Sequence, residues 1–220
     1  MAYQDFISLV HKSTTRDYVA RVTEYPKAKA AEKAKTWGYD YWDGDRRWGY
    51  GGMKYDGRWS KVAKAMVDHY ELKAGDKILD IGCGKGFLMY DFTKVCPGIE
   101  VFGVDISEYA KENSKDEIRD NITVGNANKL SYSDNEFDFV FSINTLHNLP
   151  CYDLHSALSE MERIGKKNKY ICVESYRNEI EKANLLYWQL TCEAFCSPQE
   201  WEWWFQHAGY KGDHSFIYFE

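Results

Sequence analysis

The segment Ile78-Leu79-Asp80-Ile81-Gly82-Cys83-Gly84-Lys85-Gly86 constrains this chain more than any other. A short apolar run reads as a buried strand, three glycines follow at alternate positions, and residues 87–95 have the character of a helix. Strand, glycine turn and helix in that order make the ligand-holding corner of a parallel α/β sheet. Glycine lets the backbone turn sharply and approach a ligand that any Cβ would obstruct.

The rest of the chain extends this pattern. Apolar runs at 77–81, 100–104, 122–124, 137–142 and 170–174 alternate with helical stretches at 87–95, 108–118 and 154–164. That alternation, with right-handed crossovers, predicts a doubly wound, mostly parallel α/β sheet of the Rossmann-like kind. Phe137-Asp138-Phe139-Val140-Phe141 suits a strand covered on both faces. Before the core, helices are expected near 5–11, 26–35 and 60–70, the second with Pro26 in its first turn. After it come helices near 179–194 and 198–206 and a last strand near 215–219. Residues 1–75 are thus expected to form amino-terminal helices and an aromatic segment. Residues 76–220 are expected to form the core with a carboxyl-terminal helical insertion.

At 220 residues with 28% charged and 44% hydrophobic residues, the chain reads as one globular domain with decoration. No apolar run approaches a bilayer span, and the start lacks the pattern of a signal peptide, so a cytoplasmic location is expected. The six cysteines show no CxxC pair or finger spacing, which predicts reduced thiols and no metal site. Cys192 and Cys196 are one helical turn apart and could share a face. Net charge is −6, but residues 1–75 hold 14 Lys+Arg against 10 Asp+Glu, a local +4 on an acidic body. The basic residues are not clustered with exposed aromatics, so nucleic acid is not an expected partner.

Three features sharpen the glycine turn. Asp80 precedes a G-x-G-x-G spacing, whereas dinucleotide sites use G-x-G-x-x-G to seat a pyrophosphate. A carboxylate at that point repels phosphate and accepts from an ammonium group, favouring a cationic, phosphate-free nucleotide. Asp105 closes the second apolar run about twenty residues on, where a carboxylate can accept both ribose hydroxyls. Asn126 follows the third run, where an amide can read an adenine edge. With these motifs in order, the middle half of the chain resembles the class I S-adenosylmethionine-dependent methyltransferases. Asp80 to Gly86 look like that family's first motif, Gly103-Val104-Asp105-Ile106-Ser107 like its ribose motif, and Gly125-Asn126-Ala127-Asn128-Lys129-Leu130 like its adenine motif. Asn126 departs from the family's more frequent Asp. The resemblance implies S-adenosylmethionine as cofactor, S-adenosylhomocysteine as product, and Asp80, Gly82, Cys83, Gly84, Gly86, Asp105, Ile106, Asn126, Ala127 and Asn144 as cofactor-binding. It also implies a seven-stranded type of sheet. Here the tail has room for little more than one strand, so the usual terminal hairpin is expected to be reduced, and a partner subunit, as in a homodimer, could complete that edge.

The acceptor is less legible. Ser142-Ile143-Asn144-Thr145-Leu146-His147-Asn148-Leu149-Pro150 lacks the Asn/Asp-Pro-Pro-aromatic motif of enzymes acting on bases. His147, at the ligand edge, is the candidate general base, or else shapes the pocket. Residues 37–59, rich in aromatics and glycines, form either a lid or a glue for the amino-terminal helices. Arg46, Arg47, Tyr50, Tyr55 and Trp59 are the candidate substrate or lid residues, and glue would pair Arg46 and Arg47 with Asp43 and Asp45. The expected activity is O- or N-methylation of a small polar metabolite, such as a sugar or sugar nucleotide. The alternatives are a methyltransferase-like binding or regulatory protein without chemistry and a nicotinamide-dependent oxidoreductase.

Overall fold

Six strands, β1 (Lys77–Ile81), β2 (Glu100–Asp105), β3 (Ile122–Val124), β4 (Phe137–Ile143), β5 (Gly165–Glu174) and β6 (Asp213–Ile217), form one sheet in the computed structural model, which describes residues 1–11 and 16–220. Their order is β3-β2-β1-β4-β5-β6, and every pairing is parallel. The hairpin is reduced as expected, to the one strand β6, which arrives through a long helical crossover and so lies parallel to β5; the sheet has six strands among the described residues where the family type has seven.

The helices are α1 (Ser8–His11), α2 (Tyr18–Thr23), α3 (Lys27–Ala34), α4 (Tyr39–Trp42), α5 (Ser60–Tyr70), α6 (Phe87–Val95), α7 (Glu108–Glu112), α8 (Asp116–Arg119), α9 (Cys151–Ile164), α10 (Glu179–Trp188) and α11 (Pro198–His207). Strand residues alternate between two cores. Ile78, Phe139, Phe141 and Tyr170 pack under Met66 of α5 and Phe92 of α6. Leu79, Val140 and Ile171 pack under Leu158 of α9 and Trp201 of α11. No helix among the described residues is long and apolar enough to cross a membrane.

Elsewhere local competition moved the boundaries. The expected 108–118 helix divides because the Asn113 amide and the Ser114 hydroxyl donate to the carbonyls of Tyr109 and Lys111. β5 begins five residues before the expected 170 because its lysines find partners: Lys166 pairs with Asp138 and Lys169 with Glu162. The expected 179–194 helix stops at Trp188, since Glu193 N and Ala194 N donate instead to the His147 carbonyl. Cys192 and Cys196 accordingly share no helical face. α2 was not anticipated; the Asp17 carboxylate caps it by accepting from Ala20 N.

Candidate active site

One cavity of about 630 Å³ lies where the strands end, with Asp80, Asp105, Gly125, Ile143, Glu174 and Ile217 each on its wall. This is the edge at which parallel sheets hold ligands, and the volume suits a cofactor-sized molecule.

The floor is the glycine turn. Gly82, Gly84 and Gly86 all have positive φ. Gly82, Cys83 and Gly84 line the cavity, and Gly82 N and Cys83 N both donate to the Val104 carbonyl. Gly86, expected to bind cofactor, does not line it. A Cβ there would lie 2.5 Å from Ile118 Cδ1, so this glycine lets α6 pack closely against the segment leading into β3. Asp105 accepts from Gly84 N at 2.7 Å and Ser107 N at 2.9 Å, which leaves each oxygen a spare lone pair. Burial raises its pKa despite those bonds.

Asp80 is buried, and among the described residues no donor is hydrogen-bonded to its carboxyl. Burial and the Asp105 charge push its pKa well up. A cation seated between the two carboxyls would return both to the ionised form. Asn144 follows β4 at φ 61°, with its Oδ1 buried and without a partner among the described residues. Asn126 caps a turn, its Oδ1 accepting from Asn128 N, and it lines the cavity with Ile106 and Ala127. An acceptor-rich end with an orphaned amide oxygen and two glycines at its floor fits S-adenosylmethionine, which brings an ammonium, a sulfonium and two ribose hydroxyls.

Residues 37–59 form the roof. The Trp42 indole N–H donates to Ser107 Oγ at 2.9 Å and to the Trp37 carbonyl, and a Cβ on Gly84 would meet its ring at 2.7 Å. Tyr50 stacks on Trp42 with ring centroids 5.4 Å apart. Asp43 fastens roof to floor, accepting from Lys85 Nζ, the Tyr109 hydroxyl and Met53 N. Lys85 is only 4% exposed. Of the pairs expected for a glue, Arg47 does meet Asp45, at 2.8 Å, but Arg46 donates to the carbonyls of Gly49 and Tyr50. Arg47 faces solvent and is not on the cavity wall, whereas Arg46 is. Tyr55 and Trp59 both border the cavity, while the Tyr55 hydroxyl donates to Asp91 at 2.6 Å and Trp59 packs against the core. The segment is thus roof at Trp42 and Tyr50, and both cavity wall and glue at Tyr55 and Trp59.

His147 sits in the 3-10 turn Leu146–Asn148 after β4, buried, with Nε2 3.4 Å from Glu174 Oε2. Its Nδ1 has no partner among the described residues, while Glu174 also accepts from the Gln189 amide. Burial drives the His147 pKa down to about 3 and, against the Gln189 bond, the Glu174 pKa up to about 8. At neutral pH the pair is a neutral imidazole beside a carboxylic acid. Sequence reasoning missed Glu174, Lys85, Asp43 and Trp42. Only Glu174 left a signal, as an acid ending the apolar run Tyr170-Ile171-Cys172-Val173.

A family model described as a methyltransferase domain matches residues 72–209. The demethylmenaquinone methyltransferase of Symbiobacterium thermophilum is 33% identical over 145 residues, 60% of this chain and 57% of that protein. Its counterpart in Staphylococcus carnosus is 31% identical over 159 residues, 66% of this chain and 65% of that protein. The chain therefore spans less than two thirds of the length of these curated relatives. Among solved structures, the YcgJ protein of Bacillus subtilis has the same fold, with a TM-score of 0.55 at 22% identity over 66% of each chain.

Proposed function

The chain belongs to the class I S-adenosylmethionine-dependent methyltransferases, and on that premise we propose that it methylates an oxygen or nitrogen of a small polar metabolite. The observation that carries this reading is the acceptor set of Asp80, Asp105 and the orphaned Asn144 Oδ1 around the glycine turn of one roofed cavity. In this reading residues 76–220 hold the cofactor and residues 1–75 cover it.

When bound, the sulfonium supplies an electrophilic methyl group for in-line displacement. The chain's own task is to align the acceptor and exclude water. Asp80 and Asn144 hold the ammonium end, Asp105 the ribose and Asn126 the adenine edge. Trp42 and Tyr50 keep solvent out from above. His147, as a neutral imidazole, takes the proton of an acceptor hydroxyl or ammonium, and Glu174 beside it stabilises the resulting imidazolium once its carboxyl is ionised.

Titration of the intrinsic tryptophan fluorescence with S-adenosylmethionine, S-adenosylhomocysteine and NAD tests the premise. Saturable binding of the first two and not of NAD is expected. Binding of NAD alone would overturn the reading in favour of an oxidoreductase. Tight cofactor binding with no turnover across a broad acceptor panel would favour a binding protein.

A further inference from the structure

We propose that Arg16, Arg21 and Arg46 form an anion clamp at the acceptor end of the cavity, and that the metabolite methylated here carries a carboxylate or phosphate group. The proposal rests on the methyltransferase reading and names its substrate class.

The three guanidinium groups come from separate parts of the chain: Arg16 before α2, Arg21 within it and Arg46 in the roof. All three are on the cavity wall. They gather around one ring, with their central carbons 5.5, 5.1 and 5.3 Å from the Trp188 centroid. Among the described residues, no carboxylate lies within ion-pairing distance of any of them, although most other arginines here, such as Arg47, Arg58, Arg163 and Arg177, hold one. The neighbouring segment Lys12-Ser13-Thr14-Thr15 contains no acid. Glu174, the acid that shares this end of the cavity, is kept protonated by burial up to about pH 8 and so supplies no counter-charge at neutral pH.

Like charges gathered without a counter-ion repel one another. Burial, and then the Arg46 charge, lowers the pKa of Arg21 to about 10, and burial, and then the Arg16 charge, lowers that of Arg46. The fold nevertheless spends hydrogen bonds to hold them in place. Arg21 donates from Nε to the Trp188 carbonyl and from Nη1 to the Arg46 carbonyl. Arg46 donates from Nη1 to two roof carbonyls, and Arg16 Nη2 lies 3.4 Å from the His11 ring nitrogens while its Nε is buried with no partner among the described residues. A guanidinium carries five N–H donors, so each keeps donors in reserve. Planar donors fixed in a partly enclosed site, on an aromatic face, are the arrangement that receives a carboxylate or phosphate bidentately. Tyr50 ties this end to the cofactor end, since it lines the cavity, its carbonyl accepts from Arg46 Nη1 and its ring stacks on Trp42.

The test uses the full chain saturated with S-adenosylhomocysteine. Pyrophosphate and malonate are titrated separately by calorimetry against a chloride control of matched ionic strength. Wild type should bind one of them saturably, pyrophosphate pointing to a phosphorylated acceptor and malonate to a carboxylated one. Arg21→Gln and Arg46→Gln should each weaken that binding about tenfold or more, with affinity for S-adenosylhomocysteine kept. Arg16→Gln, which breaks no bond to a backbone carbonyl, serves the same purpose if the others melt. Neither anion binding better than chloride, or equal binding in wild type and variants, would overturn the clamp. Failure of wild type to bind S-adenosylhomocysteine would instead overturn the methyltransferase reading.

Discussion

Asp105 accepts from Gly84 N and Ser107 N and keeps a lone pair on each oxygen, which the proposed function gives to a ribose. Asp105→Ala should weaken S-adenosylmethionine binding by about 1–3 kcal/mol per lost ribose bond, roughly tenfold or more in Kd. Asp105→Asn keeps an oxygen for only one of the two backbone donors and sets an NH2 against the other, so it should also weaken binding, though less than Ala, as titration of both variants would reveal. His147→Ala should cut kcat by about 10²–10⁴ with little change in cofactor affinity. Because the His147 pKa is near 3, the imidazole is neutral throughout the working range, and the pH dependence belongs to Glu174. The rate should rise through about pH 8 as Glu174 ionises and can stabilise an imidazolium. Glu174→Gln should lose that rise; a variant that keeps the full alkaline limb would remove Glu174 from the mechanism. Of these groups, Asp80, Asp105 and His147 were legible, each because it closes or follows an apolar run at the ligand edge. Glu174 was not singled out, because its role comes from His147, a residue distant in sequence on the turn after the neighbouring strand.

The roof segment is the element whose behaviour depends most on one contact. Burial works against the charge of Asp43, but hydrogen bonds from Lys85 and Tyr109 outweigh it and lower the pKa below the ordinary 3.8. Its stabilising contribution is therefore present above that range and is lost as pH falls through the lowered pKa. Asp43→Ala strands the buried ammonium of Lys85 and should cost about 3–5 kcal/mol. A urea titration would read the loss, and limited proteolysis should show faster cleavage within residues 37–59. Gly84→Ala places a Cβ 2.7 Å from the Trp42 ring at a φ of 54°. It should cost about 1–3 kcal/mol and lift the roof, so that cofactor affinity falls more than stability alone explains. Sequence reasoning located this segment and its aromatics. It could not divide them between roof and glue, since that depends on which face of the core each ring meets.

At the scale of the whole molecule, the two titrating groups buried between β4 and β5 set opposite limits on stability. His147, lowered to about 3 from 6.5, contributes stability that is present above pH 6.5 and lost as pH falls toward 3. Glu174, raised to about 8 from 4.5, contributes stability that is full below pH 4.5 and lost as pH rises toward 8. Together they predict a plateau between those ordinary values and a decline on either side. Glu174→Gln should remove the alkaline decline, so its melting temperature relative to wild type should climb between pH 5.5 and 8; parallel curves would count against the shift. The sequence by itself determined the parallel sheet, the glycine turn and the carboxylate at each of two strand ends, because apolar period, glycine spacing and strand ends are local properties of the chain. Only the tertiary structure decided that Gly86 serves packing, that Trp42 and Lys85 close the roof, that Glu174 meets His147 and that three arginines with no carboxylate partner among the described residues surround Trp188. Those facts depend on contacts between segments far apart in the chain, which no local pattern records.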